Sequence, residues 1–79
     1  MKLPRDENSA ALIKKLLKLG YQIDRQTGSH IRLTTNENGK HSITIPNHNP
    51  VKIGTLNSIL LEIAEHFKIS KDQLINKLW

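Results

Sequence analysis

The sequence of 79 residues predicts one α+β domain, residues 1–79, in which helices cover one face of a three-stranded antiparallel sheet. Three observations support this fold class. Hydrophobic residues recur with helical spacing near both ends of the chain, and they alternate with polar residues in its middle. Gly-containing turns separate the alternating stretches. The predicted order is therefore α-β-β-β-α, followed by an extra short C-terminal helix.

The first helix is predicted from about Ser9 to Leu19. Asn8 or Ser9 can act as its N-cap, and Gly20 can take the left-handed conformation that follows a helix C-terminus. One face of this helix is a broad apolar stripe made of Leu12, Ile13, Leu16, Leu17 and Leu19.

Three lysines share the opposite face of the first helix, and they allow two interpretations. Lys14, Lys15 and Lys18 can form an ordinary solvated face, with Lys18 also favoured near the negative end of the helix dipole. They can equally form a ridge that contacts phosphates. The solvated face is preferred for Lys14, whereas Lys15 and Lys18 stay open as RNA-binding candidates.

The first two strands meet at a tight reversal. Tyr21, Ile23 and Arg25 alternate with polar residues, which predicts a half-buried first strand. Gly28 supplies the positive φ that the reversal needs, and Ser29 can hydrogen-bond back to the turn. In the second strand, Ile31 and Leu33 point to one face, while His30, Arg32 and Thr34 point to the other.

A second turn and a third strand complete the predicted sheet. Asn38-Gly39 suits positive φ, and the following His41, Ile43 and Ile45 alternate with polar residues until Pro46 closes the strand. One sheet face is therefore predicted to be apolar and covered by helices. The other is predicted to be polar and to carry His30 and Arg32.

Two helices are predicted in the C-terminal part. Thr55 is the expected N-cap of the second helix, whose core stripe is Leu56, Ile59, Leu60, Ile63 and Phe67. Ser70 and Gln73 form a capping box that opens a short third helix, Lys71 to about Leu78. His66 lies one turn after Glu62, which predicts a surface pair between these two side chains.

Composition narrows the possible functions. The formal net charge of +5 favours a polyanionic partner, most simply nucleic acid. The absence of cysteine excludes disulfides and thiolate zinc sites. The charged N-terminus has no apolar segment behind it, and no stretch approaches the length of a membrane span. We therefore expect a soluble, cytoplasmic protein that does not contact a membrane.

His30 is the leading candidate for chemistry. It is the only side chain at the hairpin tip that titrates near neutral pH, so it can both accept and donate a proton. The alternative is a polar turn residue whose neighbouring arginines, Arg25 and Arg32, serve solubility. His41, His48 and His66 show no metal-binding spacing, and the carboxylates form no nuclease cluster, so we predict no metal and no cofactor.

The α-β-β-β-α order is also that of double-stranded-RNA-binding domains, which recognise A-form shape through phosphates and 2′-hydroxyl groups. Fold order alone supports only an analogy. It leaves open a non-catalytic RNA-binding module with a double-stranded-RNA-binding-domain-like fold, in which His30 only contacts the RNA backbone.

Motifs along most of the chain resemble those of the HicA-like (YcfA-like) toxins. They are Gly28-Ser29-His30 within the stretch 25–34, Ile45-Pro46 followed by His48, and Gly54-Thr55-Leu56 followed by Ile59-Leu60. One departure is the stretch 56–67, which is longer than in compact members of the family.

The resemblance implies the toxin component of a type II toxin–antitoxin pair, an mRNA interferase that uses His30 as its single catalytic residue. RNA would be cleaved through its own 2′-hydroxyl, with Arg25 and Arg32 stabilising charge at phosphorus. Gly28 and Ser29 would support the site, and Lys15 and Lys18 are candidates for RNA contact. The implied partners are mRNA and a HicB-like protein antitoxin, and we expect a monomer when the toxin is free.

Overall fold

The computed structural model describes residues 7–79 and contains three helices and one three-stranded sheet. The elements are α1 (Ser9–Leu17), β1 (Gln22–Thr27), β2 (His30–Thr35), β3 (His41–Pro46), α2 (Ile53–Phe67) and α3 (Lys71–Leu78). Both strand pairs are antiparallel, in the order β1-β2-β3. The predicted α+β class, including the extra C-terminal helix, is confirmed. The single-domain range 1–79 stays a prediction, because residues 1–6 lie outside the described part.

Helix α1 begins as predicted and ends earlier. The Asn8 side chain accepts a hydrogen bond from the backbone N–H of Ala11 at 2.8 Å, so Asn8 is the N-cap. The helix stops at Leu17, two residues before the predicted end, and the chain leaves through a turn. Gly20 takes the predicted left-handed conformation with φ +98°, which lets the N–H of Tyr21 reach back to the carbonyl of Leu16 at 3.3 Å.

The core lies between the helices and one face of the sheet. β2 and β3 contribute Ile31, Leu33, Ile43 and Ile45, and the helices contribute most of the other buried apolar side chains. Burial of these side chains is the main driving force for a domain of this size. The largest fully buried side chains are Tyr21, Leu12, Leu16, Leu33, Ile45, Leu56, Leu60, Ile63, Leu74, Ile75, Val51 and Thr35.

The prediction of a half-buried first strand is wrong. Every residue of β1 is exposed, and Ile23 is 52% exposed. β1 is an edge strand, whereas α1 and α2 pack against β3 at the other edge. Tyr21, one residue before β1, is the side chain that reaches the core. Leu17, predicted in the apolar stripe of α1, is also largely exposed at 44%.

The start of α2 differs from the prediction, while α3 agrees with it. α2 begins at Ile53 after Lys52, which makes no capping hydrogen bond through its side chain, so Thr55 is not the N-cap. In α3 the capping box is present: Ser70 Oγ accepts from the N–H of Gln73 at 3.0 Å, and Gln73 Oε1 accepts from the N–H of Ser70 at 2.9 Å. This reciprocal pair fixes the first turn of α3.

Candidate active site

The turn between β1 and β2 has two residues, Gly28 and Ser29, enclosed by the pair Thr27 and His30. Gly28 has φ +55°, and Ser29 has no positive φ. Positive φ at the first turn position alone is the pattern of a type II′ hairpin, for which glycine is the favoured residue. The predicted Gly-Ser tip is confirmed, and it makes His30 the first residue of β2.

The loop that follows β3 holds the hairpin tip in place. The N–H of Asn47 donates to the carbonyl of Ser29 at 2.6 Å, and the Asn47 side chain accepts from Ser9 Oγ at 2.8 Å. The N–H of Ser9 donates to Asn49 Oδ1 at 3.1 Å. The start of α1, this loop and the tip are therefore linked by hydrogen bonds, which gives His30 a defined position.

His30 is exposed on the open face of the sheet, the face that the helices do not cover. Its cross-strand neighbours are Thr27 on β1 and Pro46 on β3. Because Ile31 and Leu33 are buried in the core, the alternation along β2 directs His30 and Arg32 to the opposite face. No side chain of residues 7–79 hydrogen-bonds to or forms an ion pair with the imidazole. Its ring nitrogens are available to an incoming ligand.

A β-bulge decides where Arg25 lies. Ile23 pairs with Leu33, but Arg25 pairs with Arg32, so Asp24 is an additional residue in β1. Strict alternation would have placed Arg25 on the same face as Ile23. Side chains of cross-strand partners share a face, so the bulge places Arg25 beside Arg32 on the open face. This proximity of the two arginines is the feature that alternation could not predict.

The two arginines differ in their surroundings. Arg32 lies near a carboxylate, with Nε 3.6 Å from Asp24 Oδ2, and its Nη2 donates to Ser42 Oγ at 3.4 Å. Arg25 forms no ion pair with any carboxylate of residues 7–79. The open face thus combines an imidazole, two guanidinium groups and one carboxylate. His30 and Arg32 are two residues apart on one strand, which corresponds to a rise of about 7 Å.

Lys15 and Lys18 lie on the helix layer, away from the open face. Lys15 Nζ is 3.0 Å from Glu7 Oε2 and 5.1 Å from the ring centroid of Trp79. Lys18 is exposed at the C-terminal end of α1. The structure does not bring either lysine together with His30, and their RNA-binding role stays a prediction.

A family model described as "HicA toxin of bacterial toxin-antitoxin" matches residues 9–65. The match covers α1, the complete sheet and most of α2. The chain belongs to the HicA toxin family. No curated protein and no solved structure matches it. As a HicA-family member it is a toxin of a toxin–antitoxin system, and the family implies a cognate antitoxin as its partner.

The candidate site of this HicA toxin lies wholly within the matched residues, whereas α3 lies beyond them. Among residues 7–79, no three His, Asp or Glu side chains converge as a group that could hold a metal ion. None of the three described helices is long and apolar enough to cross a membrane.

Two other histidines of the toxin belong to an aromatic cluster at the opposite end of the sheet. The Tyr21 hydroxyl and His41 Nδ1 share a hydrogen bond of 2.8 Å, and His41 Nε2 lies 3.3 Å from Glu62 Oε2. His66 stacks on His41 with ring centroids 4.5 Å apart, and its Nε2–H donates to the carbonyl of Glu37 at 2.9 Å. The predicted pairing of His66 with Glu62 is wrong, because Glu62 pairs with His41 across the fold instead. Sequence reasoning missed this cluster, whose members are distant in the chain.

The cluster gives a pH-dependent prediction for Tyr21→Phe. Burial, together with the negative charge of Glu62, raises the pKa of Tyr21 to about 12. An unfolded tyrosine titrates near 10, so the unfolded state releases its proton first and the folded state loses stability as the pH rises above 10. We expect roughly 2 kcal/mol of this stability to be lost by pH 11.5.

Tyr21→Phe removes that pH dependence. At pH 8 the variant should be less stable than the wild type by about 1 kcal/mol, because the hydrogen bond to His41 is lost. Urea unfolding at several pH values between 8 and 11.5 should show this difference shrinking, passing through zero and reversing, so that the variant is more stable than the wild type by about 1 kcal/mol at pH 11.5. A difference that stays constant across the range would contradict the raised pKa.

Proposed function

We propose that this HicA toxin is a cytoplasmic mRNA interferase, a metal-independent RNA endonuclease with His30 as its catalytic residue. One observation carries the proposal: an accessible imidazole on the open sheet face, beside the guanidinium groups of Arg25 and Arg32. The HicA toxin family is known for RNase activity, which supports the same reaction class.

The proposed chemistry uses the nucleophile that RNA carries. The 2′-oxygen attacks the adjacent phosphorus, the bond from phosphorus to the 5′-oxygen breaks, and a 2′,3′-cyclic phosphate and a 5′-hydroxyl result. Neutral His30 accepts the proton of the 2′-hydroxyl, or protonated His30 donates a proton to the departing 5′-oxygen. Each such transfer accelerates a reaction by about 10²–10⁴-fold. Water supplies the transfer that one imidazole does not.

The arginines and the tip have supporting roles in this proposal. Negative charge accumulates on the phosphate oxygens as the 2′-oxygen attacks, and Arg25 and Arg32 stabilise it with charged N–H donors. A Cβ added at Gly28 would meet no atom within 4 Å, so the space around the tip is open to the sugar–phosphate backbone. The Ser29 carbonyl accepts a hydrogen bond from the N–H of Asn47, and this contact holds the hairpin tip in place next to His30.

The proposed antitoxin is a HicB-like protein that covers the open face and thereby inhibits the toxin. In the absence of the antitoxin, the toxin is proposed to be a monomer. Carboxylates placed against Arg25 and Arg32 would increase both the association rate and the specificity of the complex. The RNA path proposed here follows the open face, and contact of Lys15 and Lys18 with a longer RNA beyond that face stays a prediction.

Cleavage of matched RNA and DNA oligonucleotides in excess EDTA tests the reaction class. We expect the RNA to be cut with a 2′,3′-cyclic phosphate end and the DNA to stay intact, because DNA has no 2′-hydroxyl. An RNA with a 2′-O-methyl group at the cleaved position is the sharpest control, since only the nucleophile is blocked. Equal cleavage of DNA, or activity that requires a divalent cation, would exclude the proposal. RNA binding without cleavage would favour the non-catalytic RNA-binding module.

A further inference from the structure

A groove on the helix layer separates the C-terminal end of α1 from α3. Its apolar lining consists of Leu17, Leu19, Phe67, Ile69 and Leu74, and its volume is about 510 Å³. Volumes of roughly 300–1,000 Å³ are typical of pockets that bury a small ligand. The groove is remote from His30, which lies on the opposite, open face of the sheet.

The apolar lining is only partly covered by the protein itself. Leu17 is 44% exposed, and Leu19, Phe67 and Ile69 are half-buried against the core. A single exposed leucine is normal on a protein surface. Several incompletely covered apolar side chains along one groove are instead typical of an interaction site.

The charge at the groove edge is positive. Lys18 and Lys77 line it, both are exposed, and neither forms an ion pair with a carboxylate of residues 7–79. Glu37 is the one acidic side chain among the lining residues. Each lysine is near the C-terminal end of its helix, where a cation is favoured by the dipole. That preference explains a lysine on each helix, but it does not explain the apolar groove between them.

One side of the groove lies beyond the part of the chain that matches the HicA family. Leu17, Lys18 and Leu19 fall within residues 9–65, whereas Phe67, Ile69, Leu74 and Lys77 come after them. α3 is firmly attached, because its capping box is complete and Leu74, Ile75 and Leu78 are buried. The groove is therefore preformed rather than created by a partner.

We propose that this groove is a second docking site for the cognate antitoxin. A segment of the antitoxin inserts one or two apolar side chains between α1 and α3 and places carboxylates against Lys18 and Lys77. Charge complementarity favours an acidic protein segment with an apolar anchor, since nucleic acid offers phosphates without aliphatic groups to fill the lining. The proposal rests on the toxin–antitoxin assignment and does not depend on catalysis by His30.

Binding of the antitoxin to both the groove and the open face prolongs inhibition of the toxin. Once the groove is occupied, the segment of the antitoxin that covers the open face binds intramolecularly, at a high effective concentration. RNA competes with the antitoxin only on the open face. The groove thus increases the lifetime of the inhibited complex without touching the RNA site.

Two matched pairs of variants test this docking site. Leu17→Glu places an acid in the groove, and Leu61→Glu makes the same change at a leucine that is 49% exposed on α2 outside the groove. Lys77→Glu reverses a charge at the groove edge, and Lys14→Glu does so on the exposed face of α1. The probe is the purified cognate antitoxin, with binding measured by titration calorimetry.

We expect Leu17→Glu and Lys77→Glu to weaken antitoxin binding by about tenfold or more, because like charges then face each other across the contact. Leu61→Glu and Lys14→Glu should change the affinity for the antitoxin by less than about twofold, because they make the same changes of charge outside the groove. Melting curves measured in parallel are the check that all four variants are folded. Groove variants that bind the antitoxin as tightly as their controls would overturn the proposal.

RNA measurements separate this inference from the proposed enzyme. In the absence of antitoxin, Lys77→Glu should bind and cleave RNA like Lys14→Glu. A selective loss of RNA binding in Lys77→Glu would mean that the groove takes RNA, and the docking proposal would be wrong. A wild-type toxin without RNase activity would refute the proposed enzyme and leave the antitoxin titration unaffected.

Discussion

His30→Ala is expected to abolish RNA cleavage, with a rate loss of about 10²–10⁴-fold or more, while the protein stays folded. The loss follows from the proposed role of the His30 imidazole as the proton-transfer group of the reaction. The fold survives because His30 is exposed on the open sheet face and its side chain contributes nothing to the core. Surface substitutions of this kind change the free energy of unfolding by about 0.5 kcal/mol or less.

No nearby group can replace the imidazole. Thr27 and Ser29 offer only hydroxyl groups, and the guanidinium groups of the open face have donors but no acceptor, so none of these side chains can take over both proton-transfer roles of an imidazole. His48 is the only other histidine near this end of the sheet, exposed in the loop after Pro46, and it makes no interaction with residues 7–79 through its side chain. His48→Ala is therefore the matched control: the same chemical change, in an exposed position, with cleavage expected to remain.

Single-turnover rates on labelled RNA give the comparison, with RNA binding and melting curves measured in parallel. His30→Ala should bind RNA nearly as well as the wild type, since both arginines remain. A variant that still cuts RNA would refute the catalytic assignment. Equal losses of cleavage rate in His30→Ala and His48→Ala would mean that the two histidines act together as a catalytic pair. A variant that unfolds would mean that the histidine is a structural part of the turn.

Local patterns in the sequence predicted most of the fold because their causes are local. Gly28 takes positive φ since the two-residue reversal requires it, and Ser70 with Gln73 caps α3 through contacts within one turn. The alternation in β2 and β3 is clear because one face of each strand is buried. These features placed His30 and Arg32 on the open face correctly.

The features that the sequence predicted wrongly or missed depend on how the helices and strands pack together. Ile23 and Leu17 follow apolar patterns, but the helices leave β1 uncovered and the turn after α1 leaves Leu17 at the surface. The bulge at Asp24 depends on how β1 pairs with β2, and a pattern within β1 alone does not reveal it. The contact of Tyr21 with His41 joins residues that lie 20 positions apart. None of these features has a local cause that a periodicity can detect.

Strand β2 contributes both to the hydrophobic core and to the candidate site. β2 is the central strand, and Ile31 and Leu33 anchor one of its faces in the core. The other face carries His30 and Arg32. A catalytic group on a strand that is paired on both sides is held more accurately than one on a loop. Pairing of β2 on both sides therefore holds the proposed catalytic imidazole in place.

Arg25→Ala is expected to lower the cleavage rate by about 10–10²-fold. Loss of one charge-stabilising donor in an enclosed site costs about 10²–10³-fold, and solvent on the open sheet face weakens the effect. Arg25 offers more uncompensated positive charge than Arg32, because Asp24 lies 3.6 Å from Arg32 and partly neutralises its charge. Arg25→Lys should recover only part of the rate, because an ammonium group cannot make the two parallel contacts of a guanidinium group with a phosphate.

Lys40→Ala is the control for Arg25→Ala. It removes one exposed positive charge one residue before β3, at the end of the sheet remote from the pairing of His30 with Pro46. Long-range attraction for RNA falls equally in both variants, so a difference between them isolates the local role of Arg25. Steady-state kinetics with a short RNA should show the Arg25→Ala effect mainly in kcat, since the interaction strengthens as charge develops on the phosphate. A change confined to KM, or a kcat equal to that of Lys40→Ala, would assign Arg25 to RNA binding alone and leave Arg32 as the group that stabilises the reacting phosphate.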